Sequence, residues 1–432
     1  MIVKSQNENT DRQKEELTEL LQWLCTAPNI SSYRINTLVG TTEEILSEMK
    51  KKFKNISGAS IELCPYLPDV IIVRNINVKD LDLTRRSLEV VIDVHCAESV
   101  LRGAHIFAPG VMGMLTGITL NDKVSIYADL ENNCRKGFQK VFNSDKKLFI
   151  GNGIVKMTRS DLFGENLNPS GVAVEVYSNI SGCILIEPNF LPEGSCLLQN
   201  LPSIICTHVL NPIPGECVLD MCAAPGNKTT HIAALMRNEG TLVAIDKTPS
   251  KIKQLQRNGA KFKTKVSIYQ ADSTKILDDT ISTQSERLIS DGPPFRSESF
   301  DKILLDAPCS ALGKRPQLCN KSSEKVIKSF VPLQRKLLRN AVHLLKVNGK
   351  LVYSTCTITQ AENEGMVAWF LTKFKCMRLC KAELHVGGSG WPTEGLCDTD
   401  LEKLQRFGPN SNVDSVGFFI ALFVKEFSVD TT

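Results

Sequence analysis

Apolar residues fall into three successive rhythms along this chain. In residues 1–60 they recur at helical spacing, and Leu17, Leu20, Leu21 and Leu24 share one helix face. A second helix is predicted after Thr41, with Glu44 three residues on completing a capping box. Its run Lys50-Lys51-Lys52-Phe53-Lys54 reads as a solvated helix end rather than a phosphate contact. From about 61 to 204 the apolar runs shorten: Val70–Val73, Leu88–Ile92, Val124–Tyr127 and Val172–Val176. Turn residues separate them, at Pro109-Gly110, Gly151-Asn152-Gly153 and Pro169-Ser170-Gly171. That rhythm predicts a small barrel or compact sheet.

From about 205 to 428, strands alternate with helical stretches. Predicted strands end at Asp220, Asp246, Tyr269, Asp306 and Tyr353, and a helix is predicted over 324–346. Such alternation argues for right-handed crossovers and a mainly parallel sheet, an α/β fold. The polar stretch 279–299, with Pro293-Pro294, is predicted to be a surface loop.

Composition narrows the class. At about 150 residues per domain, 432 residues allow two to four domains. With 42% hydrophobic and 23% charged residues the chain can bury a core. A net charge of +4 does not by itself identify a nucleic-acid binder. No apolar run is long enough to span a membrane, and the polar start argues against a signal peptide. A cytoplasmic protein with free thiols is therefore expected. The 15 cysteines contain no C-x-x-C pair, so no metal site is expected. No association helix is evident, and a monomer is expected.

Candidate chemistry sits where α/β sheets bind ligands, just beyond the carboxyl ends of the strands. The first strand leads into Cys222-Ala223-Ala224-Pro225-Gly226-Asn227-Lys228, small residues that let a ligand approach the backbone. Asp246, 20 residues past Gly226, suits a ribose hydroxyl pair, and Asp272 the adenine end of the same nucleoside. The loop fits neither G-x-G-x-x-G nor a P-loop. A nucleoside cofactor without pyrophosphate fits better, and S-adenosylmethionine is the common one.

The next two strand ends carry Asp306-Ala307-Pro308-Cys309 and Ser354-Thr355-Cys356. Two thiols on one rim beside a methyl donor suit cytosine methylation. Carbon 5 of cytosine is too electron-poor to attack a methyl group, but a thiolate added at carbon 6 makes it an enamine-like nucleophile. Lys228 is the cation available to lower a thiol pKa. Asp306 is placed to hydrogen-bond the ring nitrogen and exocyclic amine. A second thiol suits removal of the carbon-5 proton. Spacing alone leaves open which cysteine attacks.

These motifs, together with Gln199–Ser203, Gln334, Glu362-Asn363-Glu364 and Gly417–Ala421, closely resemble the Sun-type RNA cytosine-C5 methyltransferases between Gln199 and Val424. The resemblance implies that Cys356 is the nucleophile, that Cys309 assists release and that Asp306 orients the base. It also implies that Cys222 to Lys228, Asp246, Asp272 and Asp306 hold S-adenosylmethionine, leaving S-adenosylhomocysteine as product. Asn227 stands where the family usually has glycine; asparagine tolerates left-handed geometry, so the loop is expected to survive. The stretch between Phe407 and Gly417 looks shorter than in relatives.

Arg102–Gly110, Asp122–Tyr127 and Ile150–Gly153 are similar to a PUA domain, an RNA-binding pseudo-barrel. The family's PUA-bearing member implies methylation near the CCA acceptor end of certain transfer RNAs, and of messenger RNA with a like loop. Arg102, Phe107, Arg135 and Lys136 are the expected RNA contacts, through phosphate and base stacking. The expected organisation is an N-terminal helical and RRM-like part over 1–90, a PUA domain over 91–182, a return to the RRM-like part over 183–204, and a Rossmann-like methyltransferase over 205–428. Two other readings are a catalytically idle RNA-binding adaptor, against which the intact Cys356, Cys309, Asp306 and Lys228 argue, and a DNA cytosine methyltransferase.

Overall fold

The computed structural model describes residues 2–54, 58–164, 168–184, 190–278 and 288–429, with side chains from residue 14 onward. Three sheets organise it, and the largest carries the candidate chemistry. Its strands are β1 (Cys217–Asp220), β2 (Thr241–Asp246), β3 (Ser267–Gln270), β4 (Phe300–Asp306), β5 (Leu345–Thr355), β6 (Met377–Cys380), β7 (Gln405–Phe407) and β8 (Phe418–Lys425). The order is β3-β2-β1-β4-β5-β8-β6, with β7 also paired to β8. The first five strands are parallel, while β8 runs antiparallel to β5, β6 and β7. Strand order reverses between β1 and β4, which is where such sheets bind ligands.

The central strands are apolar throughout because both faces are covered. Period-two alternation sends Leu219, Ile303, Leu305, Leu351 and Tyr353 to one face, against α4 (Glu324–Leu344) and α5 (Glu364–Lys373). It sends Val218, Leu304 and Val352 to the other, against α1 (Leu201–Leu210) and α2 (Asn227–Leu235). A further helix, α3 (Pro249–Lys261), connects β2 to β3.

A four-stranded antiparallel sheet precedes this domain, in the order Cys196–Leu198, Ile30–Ile35, Val70–Arg74, Ser60–Leu63. Val70 and Ile72 face the second core of the large sheet. Tyr33, Ile35, Ile71 and Val73 face the helix Thr42–Phe53, whose capping box at Thr41 and Glu44 is present. The expectation that residues 1–60 are helical is corrected here: Ile30–Ile35 is a strand between two helices. Its alternation is masked because Ser32 and Arg34 are buried polar residues.

A six-stranded sheet, with strands between Glu89 and Asn179, is inserted between the third and fourth chain-order strands of that small sheet. It closes its own core around the helix Val94–Leu101. Entry and exit touch, for the Ile76 amide donates to the Gly182 carbonyl at 2.8 Å. In the expected loop 279–299, residues 279–287 lie outside the described residues. The remainder holds a short helical turn, Ile289–Asp291, and a buried Phe295. Among the described residues no helix is long and apolar enough to cross a membrane.

Candidate active site

Beyond the carboxyl ends of the parallel strands lies a cavity of about 650 Å³, within the range of small-molecule sites. Cys222, Ala224, Pro225, Asp246, Asp272, Asp306, Cys309 and Cys356 all line it. The loop between β1 and α2 turns at Gly226, whose φ of 104° is left-handed. The backbone there favours glycine, and a Cβ would also sit 2.7 Å from Leu255 Cδ1 and push that side chain aside. Asn227 is the first residue of α2 and its φ is not positive, so its tolerance of left-handed geometry is not needed. This corrects the sequence argument. Ala223, Gly226, Asn227 and Lys228 do not line the cavity, contrary to expectation; the Ala223 side chain packs with Ala244 and Leu255 instead.

Asp246 accepts the Ala224 amide at 3.3 Å, and Lys251 stands 3.8 Å away. Asp272 pairs with Lys247 at 2.9 Å and accepts the Thr274 hydroxyl at 2.7 Å. Those bonds hold its carboxyl low, at about 2. An acidic acceptor at each of two adjacent strand ends, a backbone free of bulky side chains and a 650 Å³ void match a nucleoside carrying an amino-acid tail. The residues present therefore fit S-adenosylmethionine.

At the other end of the cavity the reactive groups meet. Lys228, in the first turn of α2, reaches Asp306 Oδ2 at 2.6 Å. A cation there is unfavourable for the helix dipole, and the carboxylate offsets it. Burial pulls the Lys228 ammonium down, but Asp306, with Cys206 and Cys356, more than offsets this and its pKa is raised. Ser354 donates to Asp306 Oδ1 at 2.8 Å. Asp220, at the end of β1, is buried and its carboxyl is pushed up to about 7, although Thr229 donates to it at 2.8 Å. β4 and β5 are hydrogen-bonded neighbours with Asp306 opposite Ser354, so the loops that follow them start side by side. Cys309 Sγ and Cys356 Sγ consequently lie 3.4 Å apart.

That contact divides the thiols electrostatically. The hydrogen bond from Cys309 lowers the Cys356 pKa against burial and Asp306, and Lys228 and Lys314 add to the lowering. The same contact, with burial, pushes Cys309 upward. Cys356 is thus the thiol disposed to ionise.

Lys314 lines the cavity beside the cysteines and escaped the sequence reading, as did Lys247, Thr248, Lys251, Ser273 and Thr274. The lysines that ring the site carry no motif, and only the fold gathers them. The expected RNA contacts divide into two places. Phe107 is 51% exposed, and Arg135 and Lys136 are exposed on a loop that reaches it, with Lys136 Nζ donating to the Pro109 carbonyl at 3.1 Å. Arg102 is elsewhere, donating to the Pro316 carbonyl at 3.4 Å where the inserted sheet meets the loop after Cys309. Asp69, His208 and His231 bring ligand-type atoms within 4.8 Å of one another, which cysteine counting could not detect. Each histidine Nε2 meets Asp69 at 2.8 Å, so the two rings satisfy both oxygens of this carboxylate by hydrogen bonds.

Comparison with known proteins agrees with this geometry. A family model described as 16S rRNA methyltransferase RsmB/F matches residues 207–424. The human (Homo sapiens) tRNA (cytosine(72)-C(5))-methyltransferase NSUN6 is 39% identical over 439 residues, covering 94% of this chain and 90% of that protein. A tRNA (cytosine(72)-C(5))-methyltransferase of Pyrococcus horikoshii is 32% identical, covering 94% and 92%. The crystal structure of NSun6 from Pyrococcus horikoshii with SFG superposes with a TM-score of 0.75 at 32% identity, over 96% of this chain and 95% of that one.

Proposed function

Because this chain belongs to the RNA cytosine-C5 methyltransferase family described by the RsmB/F model, whose members use S-adenosylmethionine, we propose that it methylates a cytosine near the CCA acceptor end of transfer RNA. The two relatives named for cytosine 72 of tRNA, matched over nearly their full length, support that substrate. Messenger RNA with a similarly presented cytosine is a second substrate on this reading. The inserted six-stranded sheet acts as a PUA domain. Phe107 stacks on a base, and Arg135 and Lys136 meet phosphates. Unstacking a base costs a few kcal/mol, less at a helix end, which favours an acceptor-end target.

The observation that carries the mechanism is the 3.4 Å pair of sulfurs beside the Lys228–Asp306 ion pair. The Cys356 thiolate adds to carbon 6 of the flipped cytosine. Lys228 and Lys314 favour the thiolate, and Asp306 orients the ring nitrogen and exocyclic amine. S-adenosylmethionine, held by Cys222, Ala224, Pro225, Asp246 and Asp272, supplies the methyl group for carbon 5. Once Cys356 is bonded to carbon 6, its sulfur no longer carries the charge or takes the hydrogen bond that pushes Cys309 upward. Cys309 releases its thiol proton to water, and the thiolate so formed receives the carbon-5 proton. Cys356 is then eliminated and the 5-methylcytosine leaves.

Denaturing gels test these roles. Cys309→Ala, given cofactor and acceptor-end RNA, is expected to accumulate a covalent protein–RNA adduct, whereas Cys356→Ala forms none. An adduct seen only when Cys356 is removed would move the nucleophile to Cys309 and contradict the reading.

A further inference from the structure

One buried carboxylate at the site has no part in this mechanism. Glu362 is 1% exposed and lies just beyond the loop that carries Cys356. A buried carboxylate is costly unless donors surround it, and here four do. Oε2 accepts the Ser310 amide at 3.0 Å and Gln334 Nε2 at 2.9 Å. Oε1 accepts the Ser310 hydroxyl at 2.5 Å and the Thr359 hydroxyl at 2.8 Å. Gln334, on α4, also donates to the Pro308 carbonyl at 3.0 Å. The Ser310 and Thr357 hydroxyls meet at 2.7 Å. Ser310 and Thr359 are thereby held directly on one carboxylate, and Pro308 and Thr357 are tied to it through Gln334 and Ser310.

The two cysteines do not depend on this clamp equally. Cys356 directly follows Thr355, which is locked into the sheet opposite Phe419 and donates to Asn363 at 2.6 Å. Cys309 is further from its strand, and the last sheet bond before it is Ala307 to Ser354 at 2.9 Å. Beyond that point the residues flanking Cys309, Pro308 and Ser310, are both anchored by the Gln334–Glu362 pair, and the next backbone anchor is four residues on, where the Gly313 amide donates to the Cys356 carbonyl at 3.0 Å. We propose that Glu362 is the positioning residue for Cys309: it holds that thiol against Cys356 to receive the carbon-5 proton, and so governs elimination rather than attack. This rests on the cysteine roles of the proposed function.

The chemistry of the clamp also says which variant preserves it. In Glu362→Gln the remaining carbonyl still accepts the Ser310 amide and Gln334. The Ser310 and Thr359 hydroxyls can rotate to accept from the new amide. In Glu362→Ala all four bonds are lost.

The test uses the full chain with S-adenosylmethionine and a tRNA transcript ending in CCA, and reads turnover and denaturation-resistant adduct together. Glu362→Ala is expected to lose at least tenfold in turnover while adduct accumulates, as in Cys309→Ala. Glu362→Gln is expected to stay within about threefold of wild type, with no added adduct. A merely structural role would lower turnover and adduct together; that result, or unchanged turnover in Glu362→Ala, overturns the proposal. If Glu362→Ala does not fold, Glu362→Asp, which shortens the reach to Ser310, carries the same expectation and the same refutation. Absence of adduct in Cys309→Ala would instead overturn the cysteine roles themselves, so the two failures are distinguishable.

Discussion

At the scale of single residues, Lys228 links the proposed cofactor loop to the proposed nucleophile. It pairs with Asp306, and its charge favours the Cys356 thiolate. Replacing it with methionine removes a cation that lowers the thiol pKa. The thiolate fraction at neutral pH then falls, and the acidic limb of the pH–rate profile moves upward by roughly one unit. Single-turnover rates across pH 6–9 check this, and an unmoved limb would remove Lys228 from thiol activation. Cys309, Cys356, Asp306 and Lys228 were legible because each sits in a short motif at a strand end. Glu362 and Gln334 appeared in the sequence only as parts of a resemblance. Their function comes from bonds to Ser310 and Pro308, 52 and 26 residues away, and from the bond between them, and no local pattern records that convergence.

At the scale of elements, the small sheet is joined to the catalytic domain through Asp69, just before the strand Val70–Arg74, and two histidines on α1 and α2. His231 is fully buried, and burial, with Arg34 and His208 nearby, lowers its pKa to about 3 against the pull of Asp69. The folded state thus resists a proton that the unfolded chain takes up near pH 6.5. This contribution to stability is complete above that pH and is lost as pH falls towards 3. The expected slope is about 1.4 kcal/mol per pH unit, or about 2 kcal/mol between pH 6.5 and 5. Urea unfolding over that range should show this loss, and His231→Gln, which can still donate to Asp69, should lack it. Equal slopes for both proteins would show that His231 is not held neutral. None of this was visible in the chain, because the strand Ile30–Ile35 and its neighbours hide polar groups such as Arg34 in positions where alternation predicts apolar ones.

At the scale of the whole molecule, the alternation of strands and helices after residue 205 was sufficient to read the parallel sheet, since buried central strands must be apolar on both faces. The arrangement of the two smaller sheets was not readable in the same way. The four-stranded sheet is assembled from strands on both sides of the insertion, and long-range pairing leaves no periodicity in sequence. The touching of Ile76 and Gly182 makes the insertion separable in principle. Replacing residues 77–181 with a short glycine linker is expected to preserve S-adenosylmethionine binding while raising the KM for tRNA at least tenfold. Calorimetry with the cofactor and steady-state kinetics with tRNA separate the two effects, and an unchanged KM would deny the inserted sheet its RNA-reading role.

The central claim is that this chain methylates carbon 5 of an acceptor-end cytosine through Cys356. Its most direct test is nucleoside mass spectrometry of a tRNA transcript after reaction with S-adenosylmethionine and either wild-type protein or Cys356→Ala. The account predicts 5-methylcytidine confined to one acceptor-end position with the wild type and none with Cys356→Ala. Methylation at another atom or base, or an undiminished yield without Cys356, would contradict it.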